Sequence, residues 1–302
     1  MIVIRLMGGL GNQMFQYAFG RSLSLKYNKT LVLDKSLLED KSENNEINTH
    51  RNFDLDIFDL NTYRWATKRE INLFNGNINN SVLQKITRKF VNTISPKKLI
   101  IQKNNNIDHT YFDFNKNVCY VGRWQSYLFF KEFESQIISD FKINKSKINS
   151  IIGLKDMELQ ILNSESICLH VRRADLITSS LYSKTIGALD LDYYKTAISK
   201  FNDLIINPTY FIFSDDLEWC KKNISTNKKT IFVDATLSGE KSEGHFYLMT
   251  QCKHFIIANS TFAWWSAFIS NNDKKHVIYP TNWYKDIALN NPEMCPPEWI
   301  AI

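Results

Sequence analysis

Along the chain, apolar runs and polar punctuation alternate regularly, most clearly in the second half. Residues 166–171 (SICLHV) form one continuous apolar run. A helical pattern follows from Asp192 to Phe201, then a run at 209–213 (TYFIF) and a helix over 216–223. The series continues with a run at 230–234 (TIFVD), a helix over 245–252, a run at 254–258 (HFIIA), a helix over 262–269 and a last run at 276–279 (HVIY). Apolar throughout rather than at alternate positions, such strands belong to a parallel sheet covered on both faces by the helices between them. The N-terminus begins the same way. Residues 2–6 (IVIRL) predict a strand, glycines stand at 8, 9 and 11, and a helix follows from about Asn12 to Tyr27. Phe15, Phe19 and Leu23 fall at i, i+4, i+8 and give that helix one buried face. Residues 30–33 (TLVL) predict the next strand, ending at Asp34. From 40 to 115, asparagine-rich stretches separate amphipathic segments such as 81–94, and no clear order of elements emerges. Residues 118–130 (VCYVGRWQSYLFF) return to strand and then to an aromatic helix start. The polar stretch 140–165 separates the halves, which gives domains at 1–155 and 156–302 in an α/β chain.

The polar residues fall where such a sheet binds ligands, beyond the carboxyl ends of its strands. Arg172-Arg173-Ala174-Asp175 follows the first run of the second half, Ser214-Asp215-Asp216 the next, then Asp234, then Asn259-Ser260-Thr261. Four clusters on one sheet edge argue for one site, and a nucleotide is its natural occupant. Ser260 and Thr261 open a helix, where hydroxyls and amides make either an anion site or an ordinary cap. Arg172 is placed to grip a diphosphate with a bidentate fork, or to pair with Asp175. Arg173 points the other way, as a structural partner. Asp175 is the best-placed general base for a hydroxyl acceptor, or else the partner of an arginine. His170, inside its strand, reads as a satisfied core histidine. Gly8-Gly9-Leu10-Gly11-Asn12-Gln13 resembles a phosphate loop, with neither the spacing of a dinucleotide fingerprint nor the lysine of a P-loop. In the plain alternative Asn12 is a helix N-cap.

Composition narrows the partners. A length of 302 residues suits two domains. The net charge of +6 fits nucleotide phosphates or an acidic membrane surface, and equally a solvated lysine-rich exterior. Without a basic run or a zinc-finger pattern, nucleic acid is disfavoured. Five cysteines, none in C-x-x-C, read as buried free thiols of a reducing compartment. Neither a signal peptide nor an 18-residue apolar stretch occurs, so the chain reads as cytoplasmic. Asp54-x-Asp56 and Asp190-x-Asp192 have a spacing used for metals. Asp192 is better read as a helix N-cap, no histidine pair has ligand spacing, and no metal is expected. Trp65, Trp124 and Tyr127 offer sugar-stacking faces, although core packing is the commoner use.

As a set, GGLGNQMFQYAFG (8–20), GRWQS (122–126), HVRRAD (170–175), FSDDLEWCKKNI (213–224), LMTQCKHFIIANSTFAWWSA (248–267) and PPEW (296–299) resemble the family 11 α-1,2-fucosyltransferases over nearly the whole chain. The resemblance implies a GT-B architecture, two Rossmann-like domains facing a central cleft, the N-terminal one on the acceptor side and the C-terminal one binding the GDP-sugar. It implies GDP-β-L-fucose as donor, the 2-hydroxyl of a galactoside as acceptor, inversion at the anomeric carbon, and no metal or other cofactor. By residue, it implies that Arg172 grips the β-phosphate, His170 lies near the guanosine, and Ser260 and Thr261 hold phosphate oxygens. Gly9, Gly11, Asn12 and Gln13 approach the donor and the reaction centre. Asp215 and Asn259 belong to the donor-side edge. His245 stands where related sequences carry an acidic residue facing guanine, and Ala174 stands where the motif has glycine. The setting implied is bacterial surface polysaccharide (O-antigen) synthesis on a lipid-linked oligosaccharide, with the positive charge available for peripheral membrane contact.

Overall fold

The computed structural model describes residues 1–40, 51–74, 97–102 and 117–302, apart from the side chains of Lys97, Asp175 and Leu181. The chain divides into two compact units, Met1–Phe141 and Lys142–Ile302. The first contains β1 (Ile2–Arg5), α1 (Leu10–Tyr27), β2 (Leu31–Asp34), β3 (Tyr63–Trp65), β4 (Lys97–Ile101) and β5 (Asn117–Val121). These strands form a fully parallel sheet in the order β3-β2-β1-β5-β4. The order reverses beside β1, so the crevice at its carboxyl end lies between β1 and β5. The segments at 41–50, 75–96 and 103–116, including the amphipathic stretch 81–94, lie outside the described residues.

Helix α1 buries Phe15, Phe19 and Leu23 as its spacing requires, and Phe19 stacks on Trp124 with centroids 4.3 Å apart. It approaches the sheet through Gly20. A Cβ there would lie 2.3 Å from Ile4 Cγ1 and 2.8 Å from Leu31 Cδ1. Gly20→Ala should therefore lower stability by about 1–3 kcal/mol through overpacking, against the ~1 kcal/mol that alanine gains in helix propensity. Urea denaturation checks this, and an unchanged or raised midpoint refutes it.

The second unit contains α2 (Leu154–Leu162), β6 (Glu165–Val171), α3 (Ala174–Thr178), α4 (Leu191–Leu204), β7 (Pro208–Ser214), α5 (Leu217–Asn223), β8 (Lys229–Phe232), α6 (Glu243–Thr250), β9 (His254–Ile256), α7 (Thr261–Phe268), β10 (Val277–Tyr279) and β11 (Ile300–Ala301). Its sheet is parallel, in the order β11-β10-β9-β6-β7-β8. Ile167, Leu169, Val171, Tyr210, Ile212 and Ile256 meet Tyr194, Ala197, Ile198 and Phe201 of α4 in one core. The reversal falls beside β6, between β9 and β7.

Three details depart from the sequence pattern. The series does not close at β10, because Ile278 and Tyr279 pair with Ile300 and Ala301 of β11, a strand too short to leave a pattern. Asp190, not Asp192, caps α4. Its backbone is extended (φ −75°, ψ 170°) and its carboxylate accepts from Tyr193 N–H at 2.9 Å. The junction placed at 155/156 falls inside α2, whose Glu158 accepts from Tyr247 Oη of α6, so the division comes earlier, at Phe141. All five cysteines are free and buried, and burial pushes the Cys220 thiol up to about 11. No helix among the described residues is long and apolar enough to cross a membrane.

Two buried histidines make this unit acid-sensitive. Burial, aided by the stacked His276, lowers His254 to about 4, and His254 Nδ1 accepts from His276 N–H at 3.1 Å. Burial, then the charges of Arg172 and His245, lowers His170 to about 3. Both are neutral when folded and titrate near 6.5 when unfolded. Their stabilising contribution is complete above pH 6.5 and is lost as pH falls toward 4. Denaturation at pH 5 should show a loss on the order of 2–3 kcal/mol relative to pH 7, with solvent screening allowed for at His254. A flat profile over that window overturns it.

Candidate active site

The reversal beside β6 gathers most of the residues singled out above. Strand β6 runs Glu165–Val171 and is followed at once by Arg172 and Arg173, with α3 beginning at Ala174. Its neighbour β9 ends at Ile256 and leads through Asn259 and Ser260 into α7. Arg172 and the N-terminus of α7 thus stand at adjacent strand ends.

Ser260 is buried and occupies the N-cap position of α7, yet its hydroxyl makes no capping bond, and no acidic residue stands in the first turn. The amide of Trp264 returns to the Ser260 carbonyl at 2.9 Å. The amides of Thr261, Phe262 and Ala263 precede it, at the positive end of the helix dipole. Plain capping therefore does not account for the serine, and a helix N-terminus of this kind is able to receive an anion.

His170 is not the satisfied core histidine its strand position suggested. It is 8% exposed, its Nδ1 is buried with no hydrogen-bond partner, and its ring faces Phe262 at 6.3 Å. Burial and, secondly, the Arg172 charge hold its pKa down, to about 3. His245 donates from Nε2 to the Asp234 carbonyl at 2.9 Å and meets Phe213 edge-on at 5.6 Å. Burial lowers its pKa, so it too is neutral. The result is a half-buried guanidinium beside two neutral imidazoles and the rings of Phe213 and Phe262, a wall suited to a planar base and its phosphates.

Asp215 and Asn259 hold the frame. The Asp215 carboxylate accepts from Arg173 N–H at 2.8 Å and Ala174 N–H at 3.1 Å. The buried Asn259 amide donates to the carbonyls of Gly187 at 3.0 Å and Trp283 at 3.3 Å. Glu243, buried two residues before His245 in α6, accepts from Lys241 N–H at 2.8 Å. Ala174 opens α3 in a helical backbone, so the glycine of the motif is not needed for a positive φ. The side chain of Asp175 lies outside the described residues.

The first unit has its own crevice at β1. Gly8 has φ +75°, Gly9 is the N-cap of α1, and Gly11 is buried in its first turn. The α1 N-terminus has neither a side-chain cap nor an acidic residue. Asn12 is not its cap. Its Oδ1 instead accepts from Gln125 Nε2 at 2.6 Å, across the reversal between β1 and β5. Gln13 was placed at the ligand by its position in the loop. It is fully buried, donates to the carbonyls of Gly8 at 2.9 Å and Asn52 at 2.8 Å, and accepts from Asp54 N–H at 2.9 Å. Its part is to brace the glycine loop. Trp124 and Tyr127 are core residues, 0% and 6% exposed, whereas Trp65 is exposed, with the Lys35 ammonium 5.3 Å from its ring.

Sequence reasoning missed three participants. Gln125 stood in plain view within GRWQS, but only the strand order brings it to Asn12. Phe262 carries nothing in the sequence that separates it from the other aromatic residues of α7. Arg51 comes near Gly9, its Nε 4.0 Å from where a Cβ on Gly9 would sit; nothing in the sequence marked it.

The glycosyl transferase family 11 model matches residues 1–302, the whole chain. The chain belongs to glycosyl transferase family 11. Among relatives of this family 11 enzyme, the alpha-1,2-colitosyltransferase of Escherichia coli is 30% identical, with 100% of this chain and 98% of that protein aligned. The O-antigen biosynthesis glycosyltransferase WbnK of Escherichia coli is 32% identical over 98% of this chain and 99% of its own. Human galactoside alpha-(1,2)-fucosyltransferase 1 is 26% identical over 59% of this chain and 50% of its own. Of solved structures, a mutant of Arabidopsis thaliana FUT1 in complex with GDP superposes with a TM-score of 0.58 at 12% identity, covering 98% of this chain and 74% of that one. NodZ alpha-1,6-fucosyltransferase co-crystallized with GDP gives 0.50 at 16% identity over 88% and 90%. The fold of the family 11 chain is accordingly GT-B, with two Rossmann-like units.

Proposed function

We propose that this family 11 glycosyltransferase is an inverting, metal-independent α-1,2-fucosyltransferase. It would move L-fucose from GDP-β-L-fucose to the 2-hydroxyl of a galactoside, on an O-antigen precursor carried by lipid. The observation that carries the reading is the adjacency of Arg172, after β6, to the uncapped N-terminus of α7, after β9. The bond from fucose C1 to the β-phosphate oxygen breaks as the acceptor O2 bonds to C1 from the opposite face. The hydroxyl proton departs, and GDP leaves with added negative charge. A guanidinium fork and fixed amides stabilise that charge as it develops. The names of the relatives support both linkage and setting.

The test is GDP release by the purified chain from GDP-fucose with lactose or another β-galactoside, followed by linkage analysis. Transfer to O2 that persists in EDTA is expected. Colitose is 3-deoxyfucose, so GDP-colitose is the informative competitor, because one relative is named for that sugar. A kcat/KM favouring GDP-colitose reassigns the donor. Release of GDP that ceases in EDTA removes the metal-independent mechanism.

A further inference from the structure

We propose that Trp219 is a positioning residue for Arg172. Its indole face carries Arg173 and thereby turns the loop between β6 and α3 so that Arg172 alone meets the donor diphosphate. The inference rests on the functional reading above and deepens it.

The guanidinium carbon of Arg173 lies 3.9 Å from the ring centroid of Trp219, over the face of the strongest cation–π partner among side chains. The Asp216 carboxylate is 3.7 Å from Arg173 Nε, beyond hydrogen-bond reach, and that nitrogen is buried without a hydrogen bond. Stacking and a through-space charge hold this end of the guanidinium. Residues leaving a strand alternate between its faces. His170 and Arg172 share one face, and Val171 and Arg173 the other. With Arg173 committed to the α5 side, Arg172 is left on the face of His170, whose pKa its charge helps to lower.

The support runs back to β7. Asp216 N–H donates to Ser214 Oγ at 2.9 Å, and Asp216 Oδ1 accepts from Trp219 N–H at 3.1 Å. That cap fixes the start of α5 and the place of its indole. Asp215, one residue earlier, accepts from the two loop amides that follow Arg172. One strand end therefore sets both the backbone and the side-chain anchor of the loop that bears Arg172.

The experiment compares Trp219→Leu, Arg173→Ala, their double variant and Trp219→Phe in the full chain. It reads GDP affinity by calorimetry, kcat and KM for GDP-fucose, and melting temperature. Trp219→Leu and Arg173→Ala should each weaken GDP about tenfold. The double variant should be no weaker than the worse single one, and Trp219→Phe, which keeps an aromatic face, should recover most of the affinity. Additive losses overturn the proposal, as does a lowered melting temperature with GDP affinity and kcat intact. Failure of the unaltered chain to bind GDP overturns the functional reading and this inference with it. Intact GDP binding in Trp219→Leu overturns the inference alone.

Discussion

Arg172→Ala should lower kcat for sugar transfer by roughly 10²–10³-fold or more while the protein stays folded. The magnitude follows from where charge appears. Departing GDP gains a negative charge, and a preorganised donor aimed at it acts strongly in a site shielded from water. Ser260 and Thr261 stand at the adjacent strand end, but amides and hydroxyls carry only partial charges. Arg173, committed to Trp219, cannot replace its neighbour. Arg172→Lys should fall between, because an ammonium is a point charge and cannot span two phosphate oxygens as a fork does. Arg172 is only half-buried, so its loss should leave the melting temperature close to that of the unaltered chain. It should also raise the depressed pKa of His170, to which the arginine charge contributes, and NMR titration of that ring reads this directly. A kcat within threefold of the unaltered enzyme would sink the assignment of Arg172.

Asp34→Ala should cost about 3–5 kcal/mol, a large fraction of the ~5–15 kcal/mol that holds a typical domain together. Arg5 and Asp34 are opposite one another in the parallel register of β1 and β2, joined at 2.7 Å with side chains 11% and 0% exposed. The other Asp34 oxygen accepts from Ser36 N–H at 2.9 Å. Arg5 Nη2 is already buried with no hydrogen-bond partner among the described residues, and Asp34 is the carboxylate that holds this guanidinium there. Removing the carboxylate strands a buried positive charge, which costs far more than the pair itself contributes. The double substitution Arg5→Leu with Asp34→Leu should recover most of the loss, since neither charge is then left alone. Chemical denaturation of these two variants beside the unaltered chain checks both statements. An Asp34→Ala protein within 1 kcal/mol of the unaltered chain overturns the first.

The parallel sheet of the second unit was legible because its strands are apolar on both faces and its helices repeat at 3.6 residues. Tyr194, Ala197, Ile198 and Phe201 carry that period on α4 without ambiguity. The polar clusters after β6, β7 and β9 were legible for a related reason: charged groups cannot sit inside such strands, so they mark where each strand ends. The first unit was harder. β3 spans only three residues, Tyr63–Trp65, and none is fully buried, too little to print a pattern. His170 misled because burial can be read from a strand but hydrogen-bond satisfaction cannot. Gln13 misled for the opposite reason, since a polar residue in a glycine loop looks available until its three bonds to backbone are seen.

By itself the sequence determined the class of fold and the family, and it placed the polar clusters at the strand ends, because all three depend on residue types at short spacing. Only the tertiary structure decided which strand ends are neighbours. The order β9-β6-β7 makes neighbours of the strand ends that lead to Ser260 and Arg172 and sets Asp215 on the loop of Arg173, and β1-β5 sets Gln125 on Asn12. Strand order is fixed by how helices pack across both faces of a sheet, a property of the whole core that no local stretch of residues contains.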